Sequence, residues 1–125
     1  MKVQKKTLIC IDFDGVLAQY HGWKGMHHHG KPMPGLKRFL QKLIDADINF
    51  VVLTSKDSHK SIKRWFNKYG LPLPLKITSK KIPAAAYVDD RSVYFDGSFS
   101  NLLKSLAKFR VHWKRDRPLK NLKRL

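Results

Sequence analysis

Apolar residues alternate along the chain between short unbroken blocks and stripes of helical spacing. "KTLICIDF" (6–13) and "INFVVLTS" (48–55) are compact, rich in β-branched residues and predict buried strands. "AAAYVDD" (84–90) predicts another. "LPLPLKITS" holds two prolines and leaves room for a short strand near Leu75 to Ile77. "SVYFDG" (92–97) reads as a brief extended piece. Between these blocks the period changes. Leu36, Phe39, Leu40, Leu43 and Ile44 form one face of a helix entered near Pro34. Ile62, Trp65, Phe66 and Tyr69 form a second, with Ser58 as its N-cap and Gly70 at its C-terminal end. Phe99, Leu102, Leu103 and Leu106 form a third over 98–109. Strands apolar throughout, alternating with amphipathic helices, predict an α/β fold: a three-layer Rossmann-like parallel sheet with helices on both faces. The stretch 15–35, "GVLAQYHGWKGMHHHGKPMPG", has neither period and predicts a long irregular loop. Loops of this length in small domains are usually functional or mobile.

Polar residues collect where the apolar blocks stop. Asp12 and Asp14 close the first strand, Thr54 and Ser55 the second, Asp89 and Asp90 the third. In open parallel sheets, the carboxyl ends of the strands converge on the working site. Asp12 and Asp14 are two apart and face one side, while Phe13 turns into the core. Gly15 lets the chain leave the strand sharply. Close carboxylates repel one another and call for a cation or a proton. Two acidic pairs at strand ends, in a chain with only nine acids, predict an all-oxygen site for a hard metal. Mg²⁺ suits it, since that ion takes carboxylates together with water and phosphate oxygens.

Charge changes the choice of partner. Twenty-six basic against nine acidic residues give a formal net charge of +17. That favours anionic partners, with nucleic acid a candidate, although a solvated basic surface accounts for the same number. The density of Lys and Arg towards the end separates a basic tail, 110–125, from a single core domain, 1–109. The lone cysteine, Cys10, sits in a strand block and excludes an internal disulfide. No secretory leader and no stretch of transmembrane length is recognisable, so the expectation is a soluble cytoplasmic protein without a membrane partner.

"DFDGVL", a strand-end Thr54, a lysine before "YVDD", and that acidic pair, in this order, resemble the haloacid dehalogenase superfamily of phosphatases and phosphotransferases. The resemblance runs from about Lys6 to Gly97. "GWKG", "KKIPAAAYVDDR" and "YFDG" are also similar to small phage and bacterial proteins of that type whose substrates are mostly unassigned. It implies an Mg²⁺-dependent phosphatase that hydrolyses phosphomonoesters through an aspartyl phosphate. Asp12 would be the nucleophile and Asp14 the acid and base. Thr54 would bind a phosphoryl oxygen, and a lysine would offset the developing charge. Lys81 fits the usual spacing better than Lys80, and both stay open. Asp12, the main-chain carbonyl of Asp14, Asp89 and Asp90 would hold the metal, with Asp90 preferred over Asp89 as direct ligand. Gly15, Ser55, Lys56, Trp23 and Lys24 would contact the substrate, helped by main-chain N–H groups of the helix start near Ser55 to Ser58.

Members of that superfamily often carry an inserted cap domain. The intervals Asp14 to Thr54 and Thr54 to Lys81 are too short for one, so the site is expected to be capless and open. A substrate that is a nucleotide or a nucleic-acid 3′- or 5′-phosphate suits an open site and a basic surface. Two rivals stand beside it: a nucleic-acid-binding module without significant turnover, and a sugar or nucleotide phosphatase closed by oligomerisation, which the sequence permits without indicating. Trp23 with Lys24 can stack on a base and touch a phosphate, or Trp23 can anchor the loop on the core. Three consecutive histidines, His27 to His29, suit solvent exposure or an anion contact better than a metal, because neighbours rarely converge on one ion.

Overall fold

The structure, a computed structural model, describes residues 6–113. The basic residues Lys114, Arg115, Arg117, Lys120, Lys123 and Arg124 of the expected tail lie outside the described residues. The chain divides into two compact units, Met1–Asp89 and Asp90–Leu125.

The first unit holds β1 (Leu8–Asp12), α1 (Leu36–Asp45), β2 (Asn49–Leu53), α2 (His59–Lys68), β3 (Ile77–Thr78) and β4 (Ala86–Val88). The second holds α3 (Phe99–Ala107). The four strands form one all-parallel sheet in the order β3-β2-β1-β4, so the fold is α/β and Rossmann-like. β1 runs in register with β2 from Leu8↔Asn49 to Asp12↔Leu53, and with β4 from Ile9↔Ala86 to Ile11↔Val88. The chain steps outwards from β1 to β2 to β3, then returns to the other side of β1 for β4. The order therefore reverses between β1 and β4, which is the topological switch point where α/β sheets open a crevice.

The core explains the helix positions. Leu36, Leu40 and Leu43 of α1 and Ile62, Trp65 and Phe66 of α2 are buried in one cluster with Ile11, Phe13, Phe50 and Val52. Phe39 and Ile44, expected on the buried stripe, are 42% and 46% exposed, so α1 buries a narrower face than its apolar residues permit. Both helices end in a Schellman arrangement. Asp47 (φ 59°) and Gly70 (φ 62°) occupy the left-handed position, and Ile48 and Leu71 donate their N–H to Leu43 and Phe66 carbonyls at 2.9 and 3.0 Å. Ser58 stands at the N-cap of α2, but its hydroxyl donates to the Met26 carbonyl at 2.7 Å instead of capping the helix.

The outer strands depart further from expectation. β3 covers only Ile77–Thr78, and Leu75 joins the sheet by its N–H alone, to the Phe50 carbonyl at 2.9 Å. β4 is three residues long and exposed, whereas its apolar block predicted burial. Residues 92–96 form no strand. α3 has Ser98 as a working N-cap, which accepts from the Asn101 N–H at 3.2 Å, but it buries no residue. Among the described residues, no helix is long and apolar enough to cross a membrane.

Candidate functional site

The parallel register carries acids from two strands to one place. Asp12 ends β1, and Asp89 follows β4 one step beyond the Ile11↔Val88 pair. A carboxylate oxygen of each lies within 4.8 Å of one of the other, on either side of the switch point. Asp90 comes next in the chain and opens the second unit. There its Oδ2 accepts a hydrogen bond from the Trp113 indole Nε1, whose ring lies 5.1 Å under the Arg91 guanidinium. A donor set of carboxylates alone suits a hard cation.

Behind Asp12 the chain turns at once. The Phe13 carbonyl accepts from the N–H groups of Leu17 and Ala18, both at 3.0 Å, and Gly15 adopts φ 86°. This tight turn, which Gly15 alone forecast, presents Asp14 beside the strand end. The remaining loop is less irregular than its composition suggests. Residues 17–19 pair back on 31–33, through Met33 N–H to the Leu17 carbonyl at 2.9 Å and Gln19 N–H to the Lys31 carbonyl at 2.8 Å. Gly30 is required at this crossing, because a Cβ there would stand 2.0 Å from the Gln19 carbonyl oxygen. The Trp65 indole then ties the Gly30 carbonyl to α2 at 2.7 Å.

The second strand end supplies Thr54 and Lys56. Thr54 is buried; its Oγ1 accepts from the Lys56 N–H at 3.1 Å, which leaves its own hydrogen for donation elsewhere. Lys56, 3% exposed, turns its ammonium onto the Asp14 carboxylate at 3.0 Å. It also donates to the His28 carbonyl at 2.6 Å and meets His29 Nδ1 at 3.4 Å, so all three of its N–H groups have partners. The tautomer of His29 follows from its other side. Ser61 Oγ gives its hydrogen to the Ser58 carbonyl at 2.8 Å, so it accepts from His29 Nε2–H at 2.7 Å. Nδ1 is then the lone-pair side facing Lys56. Burial first, and the Lys56 charge second, lower the His29 pKa from its ordinary value.

Sequence reasoning missed this arrangement. His27 and His28 are exposed, as their run suggests, whereas His29 is half-buried and packs edge-on against Phe13 at 5.2 Å. Lys56, expected as a substrate contact, lines the cavity beside Asp14 and also pairs with the Asp14 carboxylate. A lysine directly after "TS" was the available signal, but nothing in its spacing announced a partner forty-two positions earlier. Lys81 is exposed, with its ammonium 4.6 Å from the Tyr87 ring centroid, and Lys80 is exposed too. Ser55 is exposed beside Thr54. The N–H groups near the start of α2 are partly engaged: that of Lys56 with Thr54, that of Asp57 with Met26 Sδ at 3.2 Å.

Asp14, Lys56 and the loop enclose a cavity of about 190 Å³, with Trp23 and Lys24 at its wall. Trp23 is 61% exposed and stands outside the apolar core cluster.

No protein-family model matches the chain, and no curated protein matches it significantly. Among solved structures it is similar to a conserved protein from Bacteroides thetaiotaomicron, with a TM-score of 0.58 and 17% identity over 78% of this chain and 87% of that one. At that identity the likeness concerns the fold.

Proposed function

We propose that this protein is an Mg²⁺-dependent phosphatase of the haloacid dehalogenase type, which hydrolyses a phosphomonoester through an aspartyl phosphate on Asp12. The observation that carries the reading is the approach of Asp12 and Asp89 to within 4.8 Å at the switch point, with Asp14 and Thr54 at the adjoining strand ends. Four groups of the right chemistry stand at or just beyond strand ends of one parallel sheet, from three separate stretches of chain.

In the proposed reaction an Asp12 carboxylate oxygen attacks phosphorus, and the bond to the ester oxygen breaks. Asp14 gives that oxygen a proton, so the alcohol leaves neutral. Asp14 then takes a proton from water, which attacks the acyl phosphate and returns Asp12 with inorganic phosphate. Asp14 thus enters the first step protonated and is ionised between the two steps, when Lys56 holds its carboxylate in one orientation through contacts of 3.0 and 3.3 Å. The free hydrogen of Thr54 Oγ1 serves a phosphoryl oxygen, and Lys81 is the motif lysine that offsets its charge. Asp12, Asp89, Asp90 and the Asp14 carbonyl are the proposed metal ligands. Bound there, Mg²⁺ supplies neutralisation of the repulsion between a phosphate dianion and a carboxylate nucleophile.

Asp12→Asn removes the nucleophile while preserving side-chain shape. Turnover of an aryl phosphate with Mg²⁺ is expected to fall below detection in this variant and to vanish in EDTA for the native chain. Wild-type turnover by Asp12→Asn would exclude the aspartyl phosphate.

A further inference from the structure

The cavity beside Asp14 has a composition that hydrolysis alone does not require. Its wall combines Tyr20 and Trp23 with Lys24, Lys31 and Lys56. Resting on the phosphatase reading, we propose that this cavity binds the leaving group, and that the leaving group is a nucleotide, which keeps a phosphate of its own once the scissile phosphoryl group is lost. Either a free nucleoside bisphosphate or the terminal nucleotide of an oligonucleotide has this chemistry.

Trp23 is the first reason. A tryptophan 61% exposed outside the core contributes little to folding. It nevertheless lies beside the acid, with the Lys56 ammonium 5.9 Å from its ring centroid. An exposed π-face next to a cation is a platform for a base, and such stacking tolerates any base.

The second reason is charge. Lys56 is spent on Asp14, but Lys24 and Lys31 form no ion pair among the described residues. They face a cavity whose acid is already paired. A phosphomonoester bound at Asp12 leaves these two lysines for another anion. A plain sugar phosphate or glycerol phosphate offers no ring to Trp23 and no second anion to the lysines.

The third reason is preorganisation. The loop bearing Trp23 is pinned to the start of α2 by Ser58 to the Met26 carbonyl and by His29 to Ser61, each at 2.7 Å. Residues held on a built loop bind with less ordering cost than residues on a free one.

The test uses the full chain carrying Asp12→Asn, in which turnover is expected to be lost, so binding is read apart from hydrolysis. Thymidine 3′,5′-bisphosphate, a 5′-phosphorylated tetrathymidylate, its 3′-phosphorylated counterpart and glycerol 2-phosphate are titrated by calorimetry at two salt concentrations. At least one thymidine ligand is expected to bind more tightly than glycerol 2-phosphate, by roughly 5- to 150-fold, the range of one stacked base. Adding Trp23→Ala should weaken that ligand about tenfold. Lys24→Gln with Lys31→Gln should flatten the salt dependence. Equal binding of the bisphosphate and the tetramers assigns a free nucleotide, and tighter binding of a tetramer assigns a strand end; both support the proposal. Binding no tighter than glycerol 2-phosphate, or indifferent to Trp23→Ala, overturns it. In the native chain, turnover of these four phosphates and of an aryl phosphate with Mg²⁺ separately decides the phosphatase reading. Hydrolysis of any of them without nucleotide binding rejects the cavity proposal alone, and nucleotide binding without turnover of any phosphate rejects the phosphatase alone.

Discussion

Lys56 and His29 show how single residues set the local electrostatics. A buried ammonium is costly unless every N–H finds an acceptor, and here the third acceptor is an imidazole lone pair. Protonating His29 would set two cations against each other at 3.4 Å. Its pKa is lowered by burial and then by Lys56, with Asp14 opposing and His27 adding slightly to the fall. The folded chain therefore binds fewer protons at His29 than the unfolded chain, where the ordinary value is about 6.5. The resulting stability is complete above that value and is lost as pH falls through the lowered folded pKa. The melting temperature is expected to drop between pH 7 and pH 5, and to drop less in His29→Gln. Equal drops would show that other groups carry the dependence. Sequence reasoning found Asp12, Asp14 and Thr54 because each ends an apolar block. It did not foresee the pairing of Lys56 with Asp14, since a contact across forty-two positions leaves no mark in local spacing.

At the level of elements, the helix ends offer a paired test. Asp47 and Gly70 hold equivalent left-handed positions at φ 59° and 62°. Only glycine accepts that region without steric cost. Gly70→Ala should therefore destabilise by about 1–2 kcal/mol. Asp47→Gly should be neutral or stabilising by up to about 1 kcal/mol, because the Lys6 ion pair it loses is exposed and screened. Urea unfolding of the two variants measures both, and the same sign for both would refute the capping account. Gly70 was readable as a helix end, whereas nothing marked Asp47 as the equivalent. The apolar stripes located all three helices. They did not decide that Phe39 and Ile44 would face outwards, because stripe width is set by the partner surface and not by the helix.

For the whole molecule, the division at Asp89 and Asp90 separates two adjacent acids that were read as one motif. Trp113, from the stretch expected to be a separable tail, donates to Asp90 within the second unit. Removing everything beyond Phe109 would therefore disturb a proposed metal ligand as well as the charge. Trp113→Phe isolates the first effect. Partners that orient a ligating carboxylate commonly strengthen metal binding, so Mg²⁺ affinity is expected to fall about tenfold. Calorimetric titration with Mg²⁺ measures it, and an unchanged affinity would remove Asp90 from the ligand set.

The sequence by itself determined the alternation of strand and helix, the parallel sheet, and the gathering of acids and Thr54 at strand ends. Each follows from local period and from where apolar blocks stop. Tertiary structure decided the rest: the Lys56–Asp14 pair, the exposure of Trp23 and the return pairing of the loop. These depend on strand order and register, which join residues dozens of positions apart, and local patterns of burial carry no information about that joining.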